Sequence, residues 1–109
     1  MNMPLFGLNI DPASAKLQTA LQLASMADQS AVDLITIQDH PYNPDFLDTW
    51  TLLAALAART QRVQLMTNVL NSPLRPPAVF AKMAATLDVI SSGRLQLGIG
   101  AGGYTEGMQ

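Results

Sequence analysis

Leu34-Ile35-Thr36-Ile37-Gln38-Asp39-His40 (residues 34–40) is a run of β-forming, largely apolar side chains that stops at a carboxylate and an imidazole. Three further segments of the same character surround it: Leu5 to Ile10, Val63 to Leu70, and Leu95 to Ile99. Their first residues lie 29, 29 and 32 positions apart. About 30 residues is what a strand, a helix and a return loop consume in a βαβ unit. The repeat is one of structure rather than of words, because the segments share no common motif.

The stretches between them have helical period. Asp11 and Pro12 read as an N-cap and first-turn proline for a helix whose apolar stripe is Leu17, Ala20, Leu21, Ala24 and Ala27. Asp48 reads as the cap of a second helix, with Leu52, Leu53 and Leu56 on one face until the turn at 59–62. Pro76 and Pro77 open a third, in which Val79, Phe80, Met83, Ala84, Leu87 and Ile90 are expected inward and Ser92-Gly93 is the stop. The order β-α-β-α-β-α-β predicts an α/β fold with a parallel sheet, its strands apolar enough to be covered on both faces. Two architectures fit that order, a doubly wound open sheet and part of a (β/α)8 barrel.

Composition narrows the function. The 109 residues are 49% hydrophobic and 13% charged, which suits one globular domain and excludes a disordered tail. Six Lys and Arg against eight Asp and Glu leave a net charge of -2, without the positive excess that grips a phosphate backbone, so nucleic acid is not an expected partner. There is no cysteine, which removes disulfides, thiolate ligands and a cysteine nucleophile, and fits a reducing cytoplasm. The longest purely apolar run, Leu52 to Ala58, is far shorter than the roughly 20 residues of a membrane span.

In either architecture, ligands collect at the carboxyl ends of the strands. The residues there are Asn9 to Asp11, Asp39-His40, Thr67 to Asn71 and Gly98 to Tyr104. His40 is the sole histidine; at such a rim it can exchange a proton near neutral pH, or simply form a polar strand end satisfied by backbone groups. One histidine without paired-carboxylate spacing does not suggest a metal site. Arg75, just before the Pro76-Pro77 helix start, could meet an anionic ligand, but position alone favours a solvated guanidinium. Gly98-Ile99-Gly100-Ala101-Gly102-Gly103 matches the letters of a dinucleotide fingerprint. It follows the fourth strand instead of opening the first βα turn, so a cofactor-facing loop and a tight turn both remain open. Met66 and Met83 read as core filling.

Taken together, several stretches resemble the bacterial luciferase-like flavin-dependent oxidoreductases. They are Ile37-Gln38-Asp39-His40-Pro41-Tyr42, the run from Phe46 through Trp50 to Thr60, Thr67-Asn68-Val69, Arg75-Pro76-Pro77-Ala78, the run from Thr86 to Arg94, and Leu97-Gly98-Ile99-Gly100-Ala101-Gly102. No single word is diagnostic; their order and spacing across nearly the whole chain carry the resemblance. It implies the (β/α)8 TIM barrel over the open sheet. It also implies hydride transfer, or oxygen activation in the monooxygenase branch, on a small organic substrate, with FMN or 8-hydroxy-5-deazaflavin (coenzyme F420) as cofactor. In that family the ring lies against a bulge after the third strand that commonly holds a non-proline cis peptide, here by the motif between Asn68 and Val69. The Asp-His pair looks like that of the deazaflavin branch, which gives His40 the catalytic place beside the ring and Asp39 a hydrogen bond to its edge. Thr67, Asn68, Val69, Gly100, Ala101 and Gly102 complete the implied cofactor-binding set. The chain departs from some deazaflavin enzymes in lacking a tryptophan just after the histidine and a carboxylate at Gly102-Gly103.

A complete eight-unit barrel takes about 250 residues. Residues 1–109 are therefore expected to be the N-terminal part of a single barrel domain, truncated on its C-terminal side, with unpaired sheet edges that favour aggregation or dimerisation and weak flavin binding by the isolated chain. Members of the family often form homo-oligomers. The competing expectation is a non-catalytic module, either an open-sheet nucleotide-binding domain or a half-barrel interaction partner.

Overall fold

The computed structural model describes residues 3–103. Four parallel strands lie side by side in chain order: β1 (Gly7–Ile10), β2 (Leu34–Ile37), β3 (Gln64–Thr67) and β5 (Leu95–Gln96). Between them run α1 (Leu17–Asp28), α2 (Thr49–Arg59) and α3 (Pro77–Ile90). Each connection advances to the next strand in the same direction, so right-handed crossovers place all three helices on one side. Nowhere among these strands does the order reverse, as it must in a doubly wound sheet. The topology is that of consecutive units of a (β/α)8 barrel.

The core lies between sheet and helices. Ile10, Ile35, Ile37 and Leu65 point from the strands into Leu53, Leu56, Leu87 and the small side chains Ala20, Ala24 and Ala27, all of them buried. Alternation puts Gly7, Asn9, Leu34, Thr36, Gln64, Met66 and Gln96 on the other face. The expectation of strands covered on both faces is thus corrected: among the described residues, helices cover one face, and the opposite face mixes polar and apolar side chains. Met66, expected in the core, belongs to this second face.

Local chemistry explains where the helices begin. Asp48 caps α2 as expected, its Oδ2 accepting from the Thr51 N–H at 2.9 Å and the Thr51 hydroxyl at 2.7 Å. Asp11 does not cap α1. Its Oδ1 accepts from the Ala13 N–H at 2.9 Å, Ala13 bridges to Phe46, and one 3-10 turn at Ser14–Lys16 intervenes before α1 starts without a side-chain cap. The bond goes to a residue whose backbone is extended, Ala13 at ψ 132°, so it closes a local Asx turn and not a helix start. Pro77 opens α3, and Ser92 and Gly93 end it with positive φ of 57° and 82°. Of the α3 positions expected inward, Leu87 is buried and Phe80, Met83 and Ala84 pack against the core, whereas Val79 and Ile90 are 55% and 48% exposed.

The ends of the helices are closed by two arginines. Arg62 donates from Nη2 to the carbonyls of Ala27, Ser30 and Val32, and Arg94 donates to Ala57 O, Thr60 O and Val63 O, all within 3 Å. The carbonyls of Ala27, Ala57 and Thr60 lie at helix ends, where the helix itself leaves the last carbonyls short of partners, and those of Ser30, Val32 and Val63 lie in the connections that follow. Asp28 answers on the opposite sign by accepting from the N–H groups of Gln61, Arg62 and Val63 at 2.7–3.0 Å. Burial alone would push its carboxyl up, but those three N–H groups, with the charge of Arg94, hold it below the ordinary carboxylate range. Among the described residues, no helix is long and apolar enough to cross a membrane.

Candidate active site

The segment expected as one strand from Val63 to Leu70 is broken. β3 ends at Thr67, the peptide between Asn68 and Val69 is cis, and pairing resumes as β4 (Leu70–Asn71). The fourth segment splits likewise into β5 and β6 (Ile99–Gly100), with β6 parallel to β4. The register reports what happened: Leu65 pairs with Leu95, an offset of 30, but Leu70 pairs with Ile99, an offset of 29. The third strand therefore carries one extra residue, a bulge, just where it reaches the carboxyl rim.

Nearly every residue of the bulge is tied down. Asn68 N–H donates to Ile37 O at 2.8 Å, Leu70 N–H to Gly98 O at 2.6 Å, and Asn71 N–H to Asp39 Oδ2 at 2.8 Å. Thr67 Oγ1 donates to Gly98 O at 2.8 Å, and Ser72 Oγ to Gly100 O at 2.9 Å. Gly98 and Gly100 are required by this closeness: a Cβ on Gly98 would strike the Thr67 carbonyl oxygen, and one on Gly100 would meet the Val69 side chain. The glycine motif thus serves the approach of two backbones.

Beside the bulge lies a cavity of about 420 Å³. Its walls come from Asp39, His40 and Tyr42 after β2, from Asn68 to Asn71, and from Gly100 to Gly103 after β6. Three rims singled out in the sequence therefore meet in one place. Of the anticipated site residues, Asp39, His40, Asn68, Val69, Gly100, Ala101 and Gly102 line it, and Thr67 does not. Thr67 is fully buried and acts as a strut between β3 and Gly98. Tyr104, at the end of the glycine rim, lies outside the described residues.

His40 is half-buried, its Nδ1 2.6 Å from the Tyr42 hydroxyl, with the Phe46 ring 6.3 Å away. Asp39 behaves differently from its neighbour. Its side chain is 0% exposed, and Arg75, 11% exposed, donates to Oδ2 from Nη1 at 2.6 Å and to Oδ1 from Nη2 at 3.1 Å. Arg75 also donates to Asn71 O at 3.2 Å and lies 3.7 Å from Asp48. The solvated Arg75 that position favoured is corrected: it is the inner half of a two-pronged ion pair. Position in the sequence could not reveal this, because the partner stands 36 residues away.

One residue of the wall stands out that the sequence reading included only within a segment. Asn71 is 6% exposed, and its Oδ1 is buried without a hydrogen-bond partner. Buried amide oxygens are rarely left so, and an unsatisfied acceptor in the wall of a cavity marks a place where a ligand donor could be accommodated. A larger groove, about 650 Å³, lies on the outer side between α2 and α3, lined by Trp50, Val79, Met83 and Ile90 among others. Lys82 is its only charged lining side chain, whereas Asp39 and His40 lie at the rim cavity. Among the described residues, no three His, Asp or Glu side chains gather as metal ligands.

Known proteins resemble this chain in sequence and in fold. The sequence profile described as luciferase-like monooxygenase matches residues 4–108. The 5,10-methylenetetrahydromethanopterin reductase of Methanolobus tindarius is 36% identical, over 89% of this chain and 28% of its own length. The coenzyme F420-dependent tetrahydromethanopterin reductase of Methanopyrus kandleri superposes with a TM-score of 0.83 at 28% identity, over 95% of this chain and 29% of that one. The oxygenating constituent of 3,6-diketocamphane monooxygenase from Pseudomonas putida, solved with FMN, gives 0.83 at 26% identity, over 95% and 31%. The chain spans under a third of the length of each of these three relatives.

Proposed function

From the premise that the chain belongs to the luciferase-like monooxygenase family, we propose that it is the N-terminal part of the barrel of an oxidoreductase that uses a deazaflavin or FMN on a small organic substrate. The observation that carries this reading is the rim cavity, where His40, the bulge and the 100–103 segment meet and whose wall includes Asn71, a residue with a buried, unpartnered Oδ1. Flavin and deazaflavin rings share a pyrimidinedione edge with one N–H between two carbonyls. That edge offers the donor Asn71 lacks, so the residues fit the group.

Asn71 would accept from the ring N–H, and Val69, 45% exposed on the bulge, would lie against the ring. Gly100, Ala101 and Gly102 would bring backbone groups close to its rim. When bound, the ring supplies hydride transfer, and in the FMN form also the reaction of reduced flavin with oxygen. His40 gives or takes a proton at the edge of the cavity. Asp39 holds the wall in place from behind, through the Asn71 N–H and Arg75. The adjacent Asp39-His40 pair, together with the F420-dependent reductase among the relatives, favours deazaflavin first and FMN second.

The test is kinetic and uses the enzyme that contains this chain. His40→Ala is expected to lower turnover by 100-fold or more, in the range of a lost general acid or base, with cofactor Kd changed only a few-fold. Asn71→Leu is expected to raise cofactor Kd about tenfold, since a buried hydrogen bond is worth about 1.4 kcal/mol. Unchanged turnover in the first variant and unchanged affinity in the second would remove this reading.

A further inference from the structure

The loop that follows His40 is built to return one side chain onto the imidazole. His40 O accepts from the Asn43 N–H at 3.0 Å, closing a four-residue turn with Pro41 at its second position. Asn43 O accepts in turn from the Phe46 N–H at 3.1 Å, a second turn with Pro44 at the same place. Proline presets the backbone angle that this turn position needs, so both bends are fixed before any side chain packs. The far end is anchored to the loop after β1: Leu47 N–H donates to Pro12 O and Ser14 N–H to Asp45 O, each at 2.8 Å. Within this frame Tyr42 meets His40 edge-on, ring centres 5.5 Å apart, with its hydroxyl 2.6 Å from Nδ1.

A neutral imidazole has one N–H and one acceptor nitrogen, and a hydrogen bond to either nitrogen chooses between the two tautomers. A phenol is a strong donor and a weak acceptor, so the stable pairing is the Tyr42 O–H donating to Nδ1. The proton of the neutral ring then sits on Nε2. Among the described residues, the Tyr42 hydroxyl is the hydrogen-bond partner found on the His40 ring. The nearest carboxylate in sequence, Asp39, is turned into Arg75 and the Asn71 N–H, and the Phe46 ring on the other side offers no acceptor oxygen. Nε2 has no partner among the described residues, and His40 belongs to the cavity wall.

We propose that Tyr42 is a positioning residue: its hydroxyl holds the neutral His40 ring as the Nε2–H tautomer, so that the cavity is offered a donor. The consequence for catalysis rests on the function proposed above; the tautomer itself does not. On protonation the contact reverses without moving the rings, Nδ1–H donating to the Tyr42 oxygen; a proton then given to the cavity from Nε2 leaves the ring as the Nδ1–H form, held by that same contact, so the orientation is kept in every state.

His40 is the sole histidine, so its ring nitrogens can be read without assignment in the ¹⁵N-labelled 109-residue chain. At a pH where the ring is neutral, one N–H-type nitrogen at Nε2 and one acceptor-type nitrogen at Nδ1 are expected. In Tyr42→Phe the Nε2–H to Nδ1–H ratio should fall about fivefold, the worth of one hydrogen bond, with the backbone amide spectrum otherwise kept. A ring protonated at Nδ1, or a ratio unchanged in the phenylalanine variant, would overturn the proposal. Should Tyr42→Phe not fold, the tautomer of the unmodified chain still decides. Loss of turnover plays no part in this readout, so failure of the proposed function and failure of this assignment are told apart.

Discussion

Replacing Arg75 by methionine is the sharpest perturbation of the site's support. The Asp39 carboxylate accepts three hydrogen bonds, two from Arg75 and one from the Asn71 N–H, and its side chain is 0% exposed. Arg75→Met removes two of those donors and fills the space with a side chain that admits no water. A charge left buried without its partner costs about 3–5 kcal/mol, against a total of about 5–15 kcal/mol for a domain of this class. At roughly 4–8 °C per kcal/mol, the melting temperature should fall by about 12 °C or more. Urea unfolding followed by circular dichroism measures the loss directly. The double variant Asp39→Asn/Arg75→Met removes both charges while keeping an acceptor for the Asn71 N–H. It should recover about 2–3 kcal/mol relative to the sum of the single variants. A cost below about 1 kcal/mol for Arg75→Met, that of an exposed ion pair, would show that the Asp39 charge does not depend on Arg75. A double variant no better than the sum would show the same.

Gly98→Ala places a methyl against the Thr67 carbonyl oxygen, so the bulge and the fourth segment must separate; a loss of about 2 kcal/mol or more is expected in the same unfolding assay, and a melting temperature unchanged within 2 °C would contradict it. Asp28, held below its ordinary range, contributes stability that is present above the unfolded value of about 3.9 and is lost as pH falls through the lower folded value. Asp28→Asn should therefore be less stable than the parent at pH 7, with the gap closing below about pH 4; a gap that widens in acid would show the sign to be wrong. In the oxidoreductase proposed to contain this chain, Asn71→Asp should weaken cofactor binding less than Asn71→Leu does, because an acceptor oxygen is kept; the reverse order in a fluorescence titration would count against the role given to Oδ1.

The parts legible in the sequence were those governed by local rules. Strand positions followed from runs of β-formers, the α2 cap from Asp48, the α3 stop from Ser92-Gly93, and the rim cavity from the rule that ligands gather at the carboxyl ends of parallel strands. The parts that escaped depend on partners far along the chain. Val63 to Leu70 reads as an unbroken strand because its side chains suit one throughout; the break is enforced by contacts to Ile37, Asp39 and Gly98. Arg75 looked solvated for the same reason. Asn71 carried a faint signal, a polar residue at the end of an apolar strand, but that Oδ1 has no partner emerges only from the packed wall. Asp11 failed as a cap for a local reason, since an aspartate before Pro12 can bond the Ala13 N–H as readily as a helix start.

On the function proposed, a flavin-type ring lies in the rim cavity with its pyrimidinedione edge at Asn71 and His40 beside it. Amide chemical-shift mapping of the ¹⁵N-labelled chain during titration with a deazaflavin, then with FMN, tests it even where binding is weak. Shifts concentrated at His40, Asn68 to Asn71 and Gly100 to Gly102 are the predicted result. Shifts confined to the α2–α3 groove around Trp50, Val79 and Met83, or none at millimolar ligand, would contradict the claim.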